Sequence, residues 1–219
     1  MNLFDITNIF FTVLDYPMSY LEFFGTIAGA VAVWLSARGN IWSWPIGIIN
    51  VTLLFFLFYQ VQLYPDMFLQ IFFFITNLVG WWRWSHPSTL EENQKKELRV
   101  SFMPLRWLLA FVLLGMLGTF GLGSFSQNLH TLFPSLFSLP SAFPYADSFV
   151  TVMSIVATYL MVQKKAECWL VWIVVDAVAT YMYFVKGIKF VGLEYLAFCF
   201  IAAYGFYKWW KEFKQYEAR

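Results

Sequence analysis

The sequence predicts an all-α membrane protein: seven transmembrane helices forming two parallel three-helix repeats joined by a linker helix. Three observations lead there. Of the 219 residues, 60% are hydrophobic and only 12% charged, where an ordinary soluble domain carries roughly 25% charge. The apolar runs come in lengths near the ~20 residues that a helix needs to cross a bilayer. The basic residues fall almost wholly to one side of those runs, which orients them. Twenty-six Phe, twelve Tyr and eleven Trp suit lipid-facing surfaces and interfacial belts. The net charge of +1 argues against nucleic acid as a partner. Cys168 and Cys199 stand in apolar runs with no CxxC or His-rich cluster, so no disulfide, metal or cofactor is expected.

Residues 1–19 hold Asp5 and Asp15 but no Lys or Arg, so they lack the basic start of a secretory signal. Phe4, Ile9, Phe10, Phe11, Val13 and Leu14 suggest a short interfacial helix. The first repeat, 20–84, contains spans at 20–36, 42–59 and 66–84. Span 1 is light, with Gly25 and Gly29 four residues apart, a spacing that lets helices approach closely. Pro45 falls in the first turn of span 2, where its missing N–H costs little. Spans 2 and 3 meet at a tight turn over 62–66. His86-Pro87-Ser88 breaks the third helix and 91–99 (EENQKKELR) reads as a charged aqueous loop. Residues 85–146 therefore comprise that loop, linker span 4 at 105–122, and a loop with Pro134, Pro140 and Pro144. The second repeat, 147–210, contains spans at 147–162, 168–185 and 190–210. A polar tail, 211–219, closes the chain.

Arg38, Arg83, Lys95, Lys96, Arg99, Arg106, Lys164, Lys165, Lys208, Lys211, Lys214 and Arg219 lie on one side of these spans. Only Lys186 and Lys189 lie on the other. The positive-inside rule then puts the N-terminus outside and the C-terminus in the cytoplasm. The repeats align at an offset of about 126, which sets the basic turn 37–40 on 163–166 and Asn50 on Asp176. One residue shorter, Gly80-Trp81-Trp82-Arg83-Trp84 falls on Gly205-Phe206-Tyr207-Lys208-Trp209. Transporter sites commonly lie near the midplane between such repeats.

Polar residues inside the spans mark candidate binding groups. Asp176 is about 14 Å from either end of span 6 at 1.5 Å per residue, and a carboxylate there is costly without water, a partner or a ligand. Trp169, Trp172, Thr180 and Tyr183 share its helical face. A carboxylate bracketed by aromatics suits a flat cation. Gln70, Asn77 and Trp81 align on span 3, and Asn50 and Trp44 lie on span 2. Glu194, towards the outer half of span 7, reads equally as ligand-binding or interfacial. Amides offer both donor and acceptor to hydroxyls. Together these eleven residues suggest a nucleoside-like solute, an aromatic ring plus a sugar.

Trp44-Pro45-Ile46-Gly47-Ile48, the corner Leu63-Tyr64-Pro65-Asp66 with Leu69-Gln70, and Gly80-Trp81 with Trp84 resemble the PnuC family of bacterial nicotinamide riboside transporters, over roughly residues 20–210. The resemblance implies a three-plus-one-plus-three architecture like a full-length SWEET sugar transporter, in the bacterial cytoplasmic membrane. It implies facilitated diffusion of nicotinamide riboside, with a cytoplasmic riboside kinase trapping the product, and a homo-oligomer, by resemblance a trimer. Relatives of similar sequence are thought to carry thiamine or riboflavin, which stands as the alternative substrate class. A retinal receptor needs a mid-membrane Lys in its last span, which is missing. A membrane enzyme is not expected either, since neither a Ser-His-Asp set nor paired catalytic carboxylates are present. A substrate-binding subunit of an ATP-driven importer remains open, although no nucleotide-binding Gly-rich loop occurs in the chain.

Overall fold

The structure, a computed structural model, describes residues 5–13, 16–60, 64–132, 143–185 and 189–217. Among the described residues seven helices follow a short hairpin: α1 Tyr20–Ala37, α2 Ser43–Gln60, α3 Tyr64–Ser85, α4 Leu105–Leu132, α5 Pro144–Val162, α6 Glu167–Val185 and α7 Lys189–Glu217. Five of them, α1, α2, α4, α5 and α6, are long and apolar enough to cross a membrane. The other two are long enough but more polar. Helix α3 carries Gln70, Asn77 and Arg83, and α7 ends in a Lys- and Glu-rich segment. The chain separates into two units, 1–99 and 100–219. In the first, α2 packs against α1 and α3; in the second, α5 packs against α4 and α6, and α6 against α7.

Several expectations need correction. The N-terminal segment is a two-stranded antiparallel hairpin, β1 Ile9–Val13 and β2 Tyr16–Ser19, not a helix. Ile, Phe, Thr and Val favour a pleated strand over a helical turn, and Ser19 caps α1 by accepting from the Glu22 N–H at 3.2 Å. Phe4 and Leu14 lie outside the described residues, as do 62 and 63 of the expected turn at 62–66. Tyr64 to Asp66 form the first turn of α3.

Helix α4 continues ten residues past its expected end at 122. Its second half is polar, but Asn128 Nδ2 donates to the Ser124 carbonyl at 2.8 Å and Thr131 Oγ1 to that of Asn128. Helix α5 begins at Pro144, whose fixed φ suits a first helical turn. The tail after 210 is helical too. Lys214 stands 4.3 Å over the Trp210 ring and Tyr216 donates to Glu212 at 3.1 Å, both four-residue pairs.

The charged loop is folded rather than free. Leu98 and Val100 are buried, and the Leu98 N–H donates to the Trp84 carbonyl at 3.0 Å. Arg83 Nη2 bonds both carboxylate oxygens of Glu91 at 3.0 Å. In the second unit Ser101 bridges the α5–α6 turn, donating to the Lys164 carbonyl and accepting from Ala166.

The two units share local geometry at a spacing of 125 residues. Gly39 (φ 67°) and Lys164 (φ 51°) both occupy the left-handed region at the turn after their unit's helix. Gly39 and Asn40 donate to the Ser36 and Leu35 carbonyls; Lys164 and Lys165 donate to those of Met161 and Leu160. Trp44 stands edge-on to Trp84 with ring centroids 5.2 Å apart, and Trp169 edge-on to Trp209 at 5.5 Å. Each first tryptophan fills the space left by a glycine, Gly80 or Gly205. This corrects the offset of 126 to 125. Asp176 then falls on Val51, and Asn50 on Val175.

Candidate functional site

Helix α6 presents one polar face. Asp176 is 4% exposed, and its carboxylate takes no hydrogen bond among the described residues. One turn before it, Trp172 Nε1 is buried without a partner among them, and one turn after it so is Thr180 Oγ1. Residues 172, 176 and 180 repeat at four, which stacks them along one side of a helix. They span about 12 Å at 1.5 Å per residue. Across from them on α7, Tyr195 and Cys199 lie within electrostatic reach of Asp176. Cys199 Sγ donates to the Ile173 carbonyl of α6 at 3.8 Å. Tyr183 and Tyr195 stack nearly parallel, centroids 5.3 Å apart and planes 11° from parallel.

A buried, unpaired carboxylate costs several kcal/mol relative to water. A buried indole N–H or hydroxyl without an acceptor costs about 1–3 kcal/mol. Three such groups on one helical face form a row that a ligand with a positive charge and hydrogen-bonding atoms would satisfy.

The remaining expected residues fall in different places. Trp169 is buried in the joint with Gly205 and Trp209, and Trp44 in that with Gly80 and Trp84. Asn50 Nδ2 donates to the Gly25 carbonyl of α1 at 2.8 Å and sits over Gly29. Asn77 Nδ2 donates to the Phe73 carbonyl at 2.7 Å and lies over Gly47 of α2. The two asparagines thus bond helix carbonyls, while Trp44 Nε1 and Trp169 Nε1, like Trp172 Nε1, are buried without a partner among the described residues. Gln70 is buried on α3, Trp81 is largely exposed, and Glu194 is exposed on α7. Sequence reasoning selected Glu194 and missed Tyr195 beside it. One residue is a 100° turn about a helix axis, and Tyr195 rather than Glu194 is the one that faces α6. The four-residue step from Tyr195 to Cys199 is the signal that could have found it.

Membrane-spanning helices around a buried polar row define a class: a multi-pass membrane transporter. A family profile described as nicotinamide mononucleotide transporter matches residues 19–211. The nicotinamide riboside transporter PnuC of Escherichia coli is 33% identical over 95% of this chain and 94% of its own. The riboflavin/roseoflavin transporter RibM of Streptomyces davaonensis is 26% identical over 91% and 89%. A crystal structure of the vitamin B3 transporter PnuC superimposes with a TM-score of 0.65 at 25% identity, covering 90% of this chain and 83% of that one. The chain belongs to the PnuC family of transporters, and is a multi-pass protein of the inner membrane.

Proposed function

We propose that this protein carries nicotinamide riboside into the cell by facilitated diffusion, and that a cytoplasmic riboside kinase retains the product by phosphorylating it. The observation that carries the reading is one face of α6, where the Trp172 Nε1 and Thr180 Oγ1 atoms are buried without a partner among the described residues on either side of Asp176, which is buried and takes no hydrogen bond among them. A pyridinium ring supplies the positive charge and flat face that a carboxylate among aromatics attracts, and ribose supplies hydroxyls. Tyr183 belongs to the same face. Gln70, an amide buried on α3, is assigned to hydroxyl or carboxamide recognition. The proposed frame has seven crossings in two parallel three-helix repeats, N-terminus outside and C-terminus cytoplasmic, with the chain acting as a homo-oligomer. Support comes from the one-sided Lys and Arg distribution and from the local geometry repeated at 125 residues.

Uptake of labelled nicotinamide riboside by proteoliposomes without an energy source tests this. The solute should equilibrate without being concentrated, and an imposed proton or sodium gradient should leave the endpoint unchanged. Internal concentration above external under either gradient sinks facilitated diffusion. A second reading, transport of a flavin, is favoured by the likeness to RibM. Riboflavin carries no fixed positive charge, so efficient competition by riboflavin would replace the first reading with the second.

A further inference from the structure

We propose that the N-terminal hairpin lies in the interfacial layer of the bilayer, held there by phospholipid contact as a continuation of the lipid-facing side of α1. Along α1, Phe24, Ile27, Val31 and Trp34 are exposed at steps of three and four residues, a single apolar stripe. In a helix that crosses a membrane that stripe faces lipid. The stripe does not stop at the helix start. Phe10 of β1 packs on Phe24 with centroids 5.9 Å apart, and also on Phe23 and Tyr20 at 5.0 and 4.7 Å. Ile9, Phe10 and Phe11 remain exposed themselves.

Backbone bonds fix the hairpin at this level. The Tyr20 N–H donates to the Asn8 carbonyl at 3.3 Å, tying the hairpin to the start of α1. The Ile6 N–H donates to Gln60 Oε1 at 3.0 Å, tying the preceding residues to the end of α2.

Hydrogen bonding limits the depth. Among the described residues the sheet has two strands only, so each strand keeps an open edge of N–H and C=O groups. Open edges are not tolerated in hydrocarbon, where nothing can pair with them. The strands therefore sit among headgroups and water while the aromatic side chains reach inward, as interfacial aromatic residues do. The contact is apolar rather than ionic, because residues 1–37 contain no Lys or Arg.

Photo-crosslinking in the full-length chain tests the placement. Phe11 is replaced by p-benzoylphenylalanine, the protein is reconstituted in phospholipid vesicles and irradiated, and intact mass is recorded. Phe24, on the α1 stripe, and Leu90, 83% exposed in the charged loop, receive the same replacement. The expected result is the added mass of one phospholipid at 11 and at 24, none at 90, and no loss of the adduct at high salt. A crosslinked dimer at 11 without lipid adduct would mean that a second copy covers the hairpin. Absence of an adduct at 11 where 24 gives one would put the hairpin in water. Either result overturns the proposal, as does an adduct lost on adding salt. Should the substitution at 11 aggregate, Phe10 takes its place with the same outcomes.

Discussion

Helices α2 and α3 in the first unit meet through the same joint as α6 and α7 in the second. In both, a tryptophan at the start of one helix fills the gap over a glycine of the next and stands edge-on to a second tryptophan. Beyond the joint the contents diverge. At a spacing of 125, Val51 becomes Asp176, Asn50 becomes Val175, and Gln70 becomes Tyr195. Gly47 and Asn77, which lie against each other, become Trp172 and Ala202, so small and large exchange places. The packing is shared while the carboxylate is placed once. The joint can therefore be tested for stability and the carboxylate for ligand, and the two should respond separately.

The largest effect is expected at the joint. A Cβ on Gly80 would run into the six-membered ring of Trp44. At Gly205 it would lie 2.7 Å from Trp169 ring carbons. Overpacking of this kind costs typically 1–3 kcal/mol and occasionally more. Gly80→Ala should stand at the upper end of that range, near 3 kcal/mol, and Gly205→Ala below it. Thermal unfolding of each variant in detergent reads the difference. Adding Trp44→Phe to Gly80→Ala should restore most of the loss, since the ring that clashes is then smaller. If both glycine variants unfold like the parent, the joint does not hold the units together internally.

Next comes the position where the units differ. Asp176→Val gives the second unit the residue of the first. It should leave thermal stability unchanged or raise it, because a buried charge without a partner is removed. Binding of nicotinamide riboside should weaken by about 1–3 kcal/mol, the range for hydrogen bonds to charged groups, and Asp176→Asn by a similar amount. Calorimetry and melting on the same preparations decide the matter. Stability and affinity falling together would make Asp176 a structural group.

The spans were legible because an unbroken apolar run of bilayer length has few other uses, and six of the seven helix starts agree with the sequence reading within two residues. The lengths of α4 and α7 were not legible, since Asn128, Thr131 and the Lys and Glu of the last turns look like loop residues until their partners three and four residues away are seen. The hairpin was missed because counting apolar residues does not weigh the strand preference of Ile, Phe, Thr and Val. The shared face of Trp172, Asp176, Thr180 and Tyr183 could be read from spacing along one helix. Asn50 and Asn77 were read as ligand groups on polarity alone. Their amides serve helix carbonyls, and no single-helix pattern distinguishes the two uses. Matching the basic turn 37–40 to 163–166, and Asn50 to Asp176, set that part of the repeat one residue out, since Gly39 and Lys164 are the residues that share the left-handed turn.

The smallest effect is expected at Arg83 in the last turn of α3 and at its counterpart Lys208 in α7, where the comparison turns on one ion pair. Arg83 of the first unit bonds Glu91. Lys208, 125 residues later, makes no ion pair among the described residues. The Arg83 hydrogen bond, with a second from Ser88, holds the Glu91 carboxyl below its ordinary value of 4.5. A depressed carboxyl adds stability that is present above that ordinary value and lost as the pH falls through the folded one. The Glu91 side chain is 45% exposed, so solvent screening limits the pair to about 0–1 kcal/mol. The parent should therefore lose a little stability between pH 6 and pH 3 (roughly the window set by carboxyl titration) that Glu91→Gln has already lost and does not lose again. Lys208→Gln should shift nothing over the same range. Melting curves at low salt for the three proteins make the comparison, and raising the salt should shrink the Glu91 difference further. A parent and Glu91→Gln that respond identically to acid would show that the pair fastens the loop without stabilising the fold.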